Sequence, residues 1–239
     1  WDAVGAIARG KQLIVVGDPK QLPPTNFFNR ADDAEDTALG HEEDAPVQDL
    51  ESILDECLGA GLPALRLEWH YRSRHESLIT FSNHRYYDSR LITFPSPVTN
   101  DLAVKLNLVG GIYDRGATRT NRAEADAIVR EIVAHFSDES RRKLTIGVVT
   151  FNQTQQRLIE TLLDEELRKH PEIEQRIAEH GSERLFIKNL ENVQGDERDL
   201  ILFSITYGKD AAGKMAMNFG PINQEGGQRR LNVAITRAR

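Results

Sequence analysis

Two short runs, residues 144–150 and 200–206, constrain this chain more than any other feature, because both are apolar at consecutive positions. A strand with one wet face would alternate, so these strands must bury both faces, which is the habit of a parallel sheet covered by helices. Further strands are expected at residues 11–17, 64–69, 103–109 and 185–190. Helices are expected at residues 47–58, 74–87, 122–136, 153–169 and 225–239. The alternation of strand and helix defines an α/β fold, a mostly parallel sheet with helices on both faces.

In such a sheet ligands gather beyond the carboxyl ends of the strands. The loops to inspect therefore follow Gly17, Trp69, Thr150, Leu190 and Thr206, and most of the unusual polar residues fall there. The chain has 239 residues, enough for one large domain or one domain and part of another. Its net charge of −7 argues against a nucleic-acid partner only until it is mapped. Eleven of the 37 acids lie within residues 31–56, where no Lys or Arg occurs, and the other 26 acids face 30 bases. Local patches decide phosphate binding, not the sum. Residues 26–46, acidic and poor in apolar side chains, read as a linker between two lobes. The lone Cys57 excludes a disulfide framework and suits a reducing, cytoplasmic setting. No apolar run approaches the ~20 residues that a membrane helix needs, so no membrane partner is expected. A chain that opens on Trp1 and closes on Arg239 within a helical pattern is expected to be a piece of something longer.

Four strings carry the chemistry. In Gly17-Asp18-Pro19-Lys20-Gln21, a glutamine on a rigid turn suits simultaneous bonds to a water and a phosphate oxygen; an ordinary turn is the plain alternative. In His70-Tyr71-Arg72-Ser73, an aromatic face suits a base and the guanidinium suits a phosphate. In Glu191 to Asp199, Gly195 permits a close backbone approach, Glu197 suits a ribose, and Arg198 and Asp199 read as a solvated pair. In Arg229 to Arg239, Leu231, Ala234, Ile235 and Ala238 form a buried stripe, while Arg230 and Arg237, seven apart, share a second face. A guanidinium held by a packed helix can neutralise charge as a γ-phosphoryl group leaves.

In this order and spacing, GDPKQLPP, HYRS, a strand ending at Thr150 with Gln155 following, VQGDERD and LNVAITRAR resemble the later motifs of superfamily one helicases. The similarity is greatest to the up-frameshift-like branch and, within it, to large bacterial helicase-related proteins that carry a domain of unknown function upstream. It spans Gly17 to Arg239 and implies a RecA-like P-loop NTPase lobe. Residues 1–25 would end a first RecA-like lobe, and residues 47–239 would form a second, truncated at its C-terminus. The resemblance assigns Gln21, Arg72 and Arg237 to catalysis, with Gln21 positioning the attacking water and Arg237 as principal arginine finger. It assigns Asp18, Tyr71, Gly195 and Glu197 to the nucleotide, and Thr150 and Gln155 to the backbone of a single-stranded DNA or RNA. ATP and Mg²⁺ are implied, but no G-x-x-x-x-G-K-[ST] occurs, and the Asp-Glu pair that holds the metal in such helicases is not present before GDPKQ. The main phosphate and metal site is thus expected outside this chain, on the first lobe of the same parent, and the isolated chain is expected to be inactive. A degenerate lobe serving as a nucleic-acid-binding or protein-docking module is the alternative, although retention of Gln21, Arg72, Glu197 and Arg237 argues against it. A nuclease is disfavoured by the absence of a convincing cluster of metal-binding acids.

Overall fold

The computed structural model describes residues 4–22, 52–97 and 103–239, in two compact units, Trp1–Leu67 and Glu68–Arg239. The acidic stretch 26–46 lies outside the described residues, as does the start of the helix expected over 47–58. In the first unit, helix α1 (Val4–Ile7) is followed by a turn over residues 18–21, closed by the Gln21 N–H donating to Asp18 O at 3.1 Å, and α2 covers Ile53–Gly59. Ser52 caps α2 by accepting from the Asp55 N–H at 3.2 Å. The strand expected at 11–17 is not formed: Ile14 and Val16 are 76% and 81% exposed. β-branched residues favour an extended backbone, but a buried strand needs neighbours for its N–H and C=O groups, and among the described residues none pairs here.

The second unit is built on three parallel strands, β3 (Ile146–Thr150), β4 (Phe186–Asn189) and β5 (Leu200–Ser204), in the order β4-β3-β5. All five residues of the central β3 are buried, as its unbroken apolar run requires. Its register sets Thr150 beside both Asn189 and Ser204, so the three carboxyl ends finish level. Helices α4 (Arg122–Ser137), α5 (Gln153–Lys169) and α6 (Pro171–Ala178) close one core, in which Ile132 and Phe136 meet Ile146, Val148, Ile159 and Ile173. Asn121 and Asn152 start α4 and α5 by accepting from the N–H groups of Glu124 and Gln155, at 3.2 and 2.7 Å. Like the short α1, α6 has no counterpart in the sequence expectations; Pro171 at its first turn begins it directly after α5.

Elsewhere the unit departs from expectation. The strand expected at 64–69 shrinks to β1 (Trp69–His70), parallel to β2 (Ile92–Thr93), and none forms at 103–109, where Leu106 and Leu108 are 77% and 89% exposed. Helix α3 covers Ser77–Tyr86 and α7 covers Gly227–Ile235. The expected helix 225–239 stops early because side chains take its last carbonyls. Thr236 Oγ1 donates to Asn232 O at 2.9 Å and Arg237 Nε donates to Val233 O at 2.7 Å.

His135, wholly buried on α4, sets a pH dependence. Its Nε2 meets Leu144 O at 2.9 Å, and burial pushes its pKa below the usual histidine value. The unfolded chain therefore binds the proton that the folded chain refuses. Stability is expected to fall as pH drops below about 6.5, the ordinary histidine value. Denaturant midpoints should decline between about pH 6.5 and 5, and His135→Leu should flatten that slope; equal slopes in the two proteins would disprove the assignment.

Candidate functional site

Three of the four strings converge in the second unit. After α7 ends, residues 237–239 run beside 197–199: the Arg198 N–H donates to Arg237 O at 3.1 Å, the Arg239 N–H donates to Arg198 O at 3.0 Å, and Arg198 and Ala238 form a parallel bridge. The loop after β1 joins them through two ion pairs, Arg72 Nε to Glu197 Oε2 at 3.0 Å and Arg74 to Asp199 at 3.1 Å. His70 closes its own loop on the Ser73 hydroxyl at 2.8 Å.

Arg237 is 4% exposed, and its hydrogen bonds go to neutral acceptors, Val233 O and, at 3.1 Å, Thr236 Oγ1. Among the described residues no carboxylate lies within ion-pair distance of it. Burial pushes its pKa down and the charge of Arg72 adds to that, while Glu197, Asp196 and Tyr87 oppose it. Arginine does not give up its proton in proteins, so the outcome is a buried cation short of negative charge. The Arg72–Glu197 pair is half exposed, and such a pair is worth at most about 1 kcal/mol. It exchanges readily for a stronger anion. An incoming phosphate therefore meets one guanidinium already desolvated and a second that is easily released. Tyr71, next to Arg72, is 85% exposed and offers its ring. Gly195 has φ +89° and open space where a Cβ would sit, so the backbone of its loop is accessible to a ligand.

Arg230 does not share the surroundings of Arg237. It is 3% exposed, donates to Glu225 O at 2.7 Å and lies 3.4 Å from a Glu191 carboxylate oxygen. The expected surface pairing of Arg198 with Asp199 is also replaced. Arg198 is buried, donates to Arg184 O and Glu197 O, and lies 4.9 Å from the centre of the Phe186 ring. Asp199 accepts from the N–H and the hydroxyl of Thr145 at 2.9 and 2.7 Å. Burial alone would raise the Asp199 pKa, but the Thr145 bonds, with Arg239 and Arg74, hold it below the usual range.

Thr150 and Gln155 are both fully buried. The Thr150 hydroxyl donates to Asn152 O at 3.0 Å. Gln155 Oε1 accepts from the Asn121 N–H at 2.9 Å, and its Nε2 donates to Asn121 O and Ser204 Oγ at 3.1 and 3.2 Å. The amide is satisfied internally, so a direct contact from it to a strand would require breaking these bonds. Sequence reasoning missed Glu124 in the same network. Its carboxylate accepts from Ser204 Oγ at 2.8 Å and from the Thr206 N–H at 3.0 Å, binding the start of α4 to the carboxyl end of β5. The signal was present, an acid three residues after the capping Asn121, but nothing local tells which strand it reaches. In the first unit, Asp18 closes the GDPKQ turn by accepting from the Lys20 N–H at 2.9 Å and from Gln21 Nε2 at 2.8 Å. Among the described residues no group of three or more His, Cys, Asp or Glu is placed to hold a metal ion, and no helix is long and apolar enough to cross a membrane.

A parallel α/β unit that collects arginines from three loops beside an open glycine turn has the make-up of a nucleotide-handling lobe. A family profile described as an AAA domain matches residues 50–239. The chain belongs to this AAA-domain family, of RecA-like P-loop fold, and is similar over nearly all its length to portions of up-frameshift-like superfamily one helicases. It is 36% identical over 245 residues to an uncharacterized ATP-dependent helicase, MG140, of Mycoplasma genitalium, covering 99% of this chain and 21% of the relative. The regulator of nonsense transcripts 1 of Dictyostelium discoideum is 27% identical, across 96% of this chain and 16% of its own length. The probable helicase senataxin of Homo sapiens is 26% identical, across 98% and 8%. The chain thus spans about a fifth of the length of the Mycoplasma relative.

Proposed function

We propose that residues 47–239 are the second RecA-like lobe of an ATP-dependent nucleic-acid helicase or translocase, that residues 1–25 end the first lobe, and that residues 26–46 link them. The observation that carries this reading is the buried, under-neutralised guanidinium of Arg237 beside Arg72 and Glu197. A surface helix bearing several arginines would leave them in water, and Arg237, unlike the buried Arg198 and Arg230, has among the described residues neither an aromatic nor a carboxylate partner to account for its burial.

ATP supplies the γ-phosphoryl group whose transfer to water releases the energy of the cycle. Arg237 holds positive charge where negative charge develops on that group. Arg72 leaves Glu197 to bind phosphate oxygens, and Glu197, once free, accepts from a ribose hydroxyl. Tyr71 stacks on the base. Gln21 turns from Asp18 to orient the attacking water, and Asp18 keeps the turn closed through the Lys20 N–H. The main phosphate cradle and Mg²⁺ belong to parts of the first lobe outside this chain. Loss of the γ-phosphate removes the contacts of both arginines, the usual consequence of hydrolysis in γ-phosphate switches. Thr150 and Gln155 act on a bound strand through the loops they fix, since their own polar atoms are committed inside.

The test is ATP turnover by the full-length protein with and without single-stranded DNA or RNA. Turnover stimulated by at least one strand is expected. Absence of any stimulation by either would sink the proposal in favour of a non-catalytic docking module.

A further inference from the structure

Beyond the carboxyl end of β5 the chain builds an aromatic cluster with basic neighbours. Tyr207 meets Tyr113 edge-on at 5.3 Å between ring centres and Phe219 at 5.9 Å. Tyr113 is buried, whereas Tyr207 and Phe219 keep partial access to solvent. The cluster is held rigidly. Thr206, just before Tyr207, has φ +71°, a costly conformation for a β-branched residue, and the Glu124 carboxylate fixes its N–H at 3.0 Å. Gly220, at φ +60°, closes against the Tyr207 hydroxyl so tightly that a Cβ there would lie 2.1 Å from it. Backbone strain kept in place by a carboxylate indicates that the position of Tyr207 matters for more than packing.

Exposed basic residues flank this cluster. Arg119 acts electrostatically on both Tyr113 and Tyr207, and Arg115 acts on Tyr113. Both arginines are exposed, and the Arg119 carbonyl is pinned by Asn152 Nδ2 and Thr154 Oγ1 at 3.2 and 3.1 Å. Exposed Lys209 joins through its carbonyl, which accepts from the Tyr113 N–H at 3.0 Å. Two acids lie in the same loops: exposed Asp114, which opposes the arginines at Tyr113, accepts from the N–H and hydroxyl of Thr118, and Asp210 accepts from the N–H groups of Ala212 and Lys214. Rigid rings beside guanidinium groups, with the local carboxylates engaged in their own turns, suit a chain of stacked bases and phosphates.

We propose that Tyr207 and Phe219, with Arg119 and Arg115, form a stacking platform for single-stranded nucleic acid on this lobe. The proposal rests on the helicase reading above and supplies the strand contact that the buried Thr150 and Gln155 do not make. Bases lie against the aromatic cluster while Arg119 and Arg115 take phosphates, so recognition tolerates sequence.

The test is fluorescence anisotropy of labelled oligo(dT) and oligo(U) with the full-length protein and its variants. With whichever strand the wild type binds, Tyr207→Ala should weaken affinity about tenfold, and Tyr207→Phe should stay within about twofold. Arg119→Asn, which tolerates the positive φ and disturbs no core, should weaken binding about threefold and lower the salt slope by about 0.7. Wild-type affinity in both Tyr207→Ala and Arg119→Asn would overturn the platform and leave the helicase reading standing. A wild-type protein that binds neither strand would overturn both.

Discussion

Replacing Arg237 with alanine in the full-length protein is expected to lower kcat for ATP hydrolysis by about three orders of magnitude, while nucleotide affinity changes by less than about tenfold. The asymmetry follows from where the charge sits. A guanidinium bonded only to Val233 O and Thr236 Oγ1, with Arg72 as a like-charged neighbour, gains most when negative charge develops close by. In the proposed reading Arg72 and Tyr71 also contribute to ground-state binding, so its loss should be smaller. Steady-state kinetics beside direct binding of a fluorescent nucleotide separates the two quantities.

The second large effect concerns Glu124. Its removal as Glu124→Ala leaves the Ser204 hydroxyl and the Thr206 N–H, both on residues with no solvent exposure, without their acceptor. Bonds to a charged acceptor and the penalty for orphaned donors together predict a loss of about 2–4 kcal/mol in unfolding free energy. Glu124→Gln, which keeps one acceptor oxygen, should recover part of it. Chemical denaturation followed by far-UV circular dichroism measures both variants. A change below about 0.5 kcal/mol for the alanine variant, the size of an ordinary surface substitution, would show that the contact is incidental.

The central sheet was legible because its strands are selected by burial. Residues 144–150 and 200–206 are both apolar without alternation; β3 is buried throughout, as a covered parallel strand should be, whereas the first four residues of β5 are only partly buried. Helices α4 and α5 were equally plain, since a capping asparagine and a 3.6-residue period specify them locally, and the expected 153–169 is the range observed. Residues 11–17, 64–69 and 103–109 share the β-branched and aliphatic composition of strands, but a ladder also needs a neighbour, which composition does not announce. The end of α7 was misplaced because the stripe of Leu231, Ala234, Ile235 and Ala238 continues the helical period past Thr236. Side-chain bonds from Thr236 and Arg237 to the last carbonyls stop it, and hydrophobic periodicity does not record them.

For the site, motif order brought Arg72, Glu197 and Arg237 to attention, and the structure places all three in one neighbourhood of the second unit. What the motifs conceal is the division of labour between similar side chains. Arg198, Arg230 and Arg237 stand within conspicuous strings, but Arg198 serves carbonyls and a ring, Arg230 serves a loop and Glu191, and Arg237 alone of the three lacks both an aromatic and a carboxylate partner among the described residues. Thr150 and Gln155 likewise look like exposed polar residues after a strand, and burial turns them into internal clamps.

The central claim is that Arg237 is kept buried for a phosphate and not for the fold, and the variant Arg237→Met isolates it. Methionine fills similar volume without charge, so a structural arginine and a catalytic one respond in opposite ways. ATP turnover and the thermal midpoint should be measured together on the full-length protein carrying this substitution. The account predicts turnover lowered by about three orders of magnitude with a midpoint equal to or above that of the wild type. Turnover near wild type with a lowered midpoint would contradict it, because Arg237 would then be holding the helix end and nothing more.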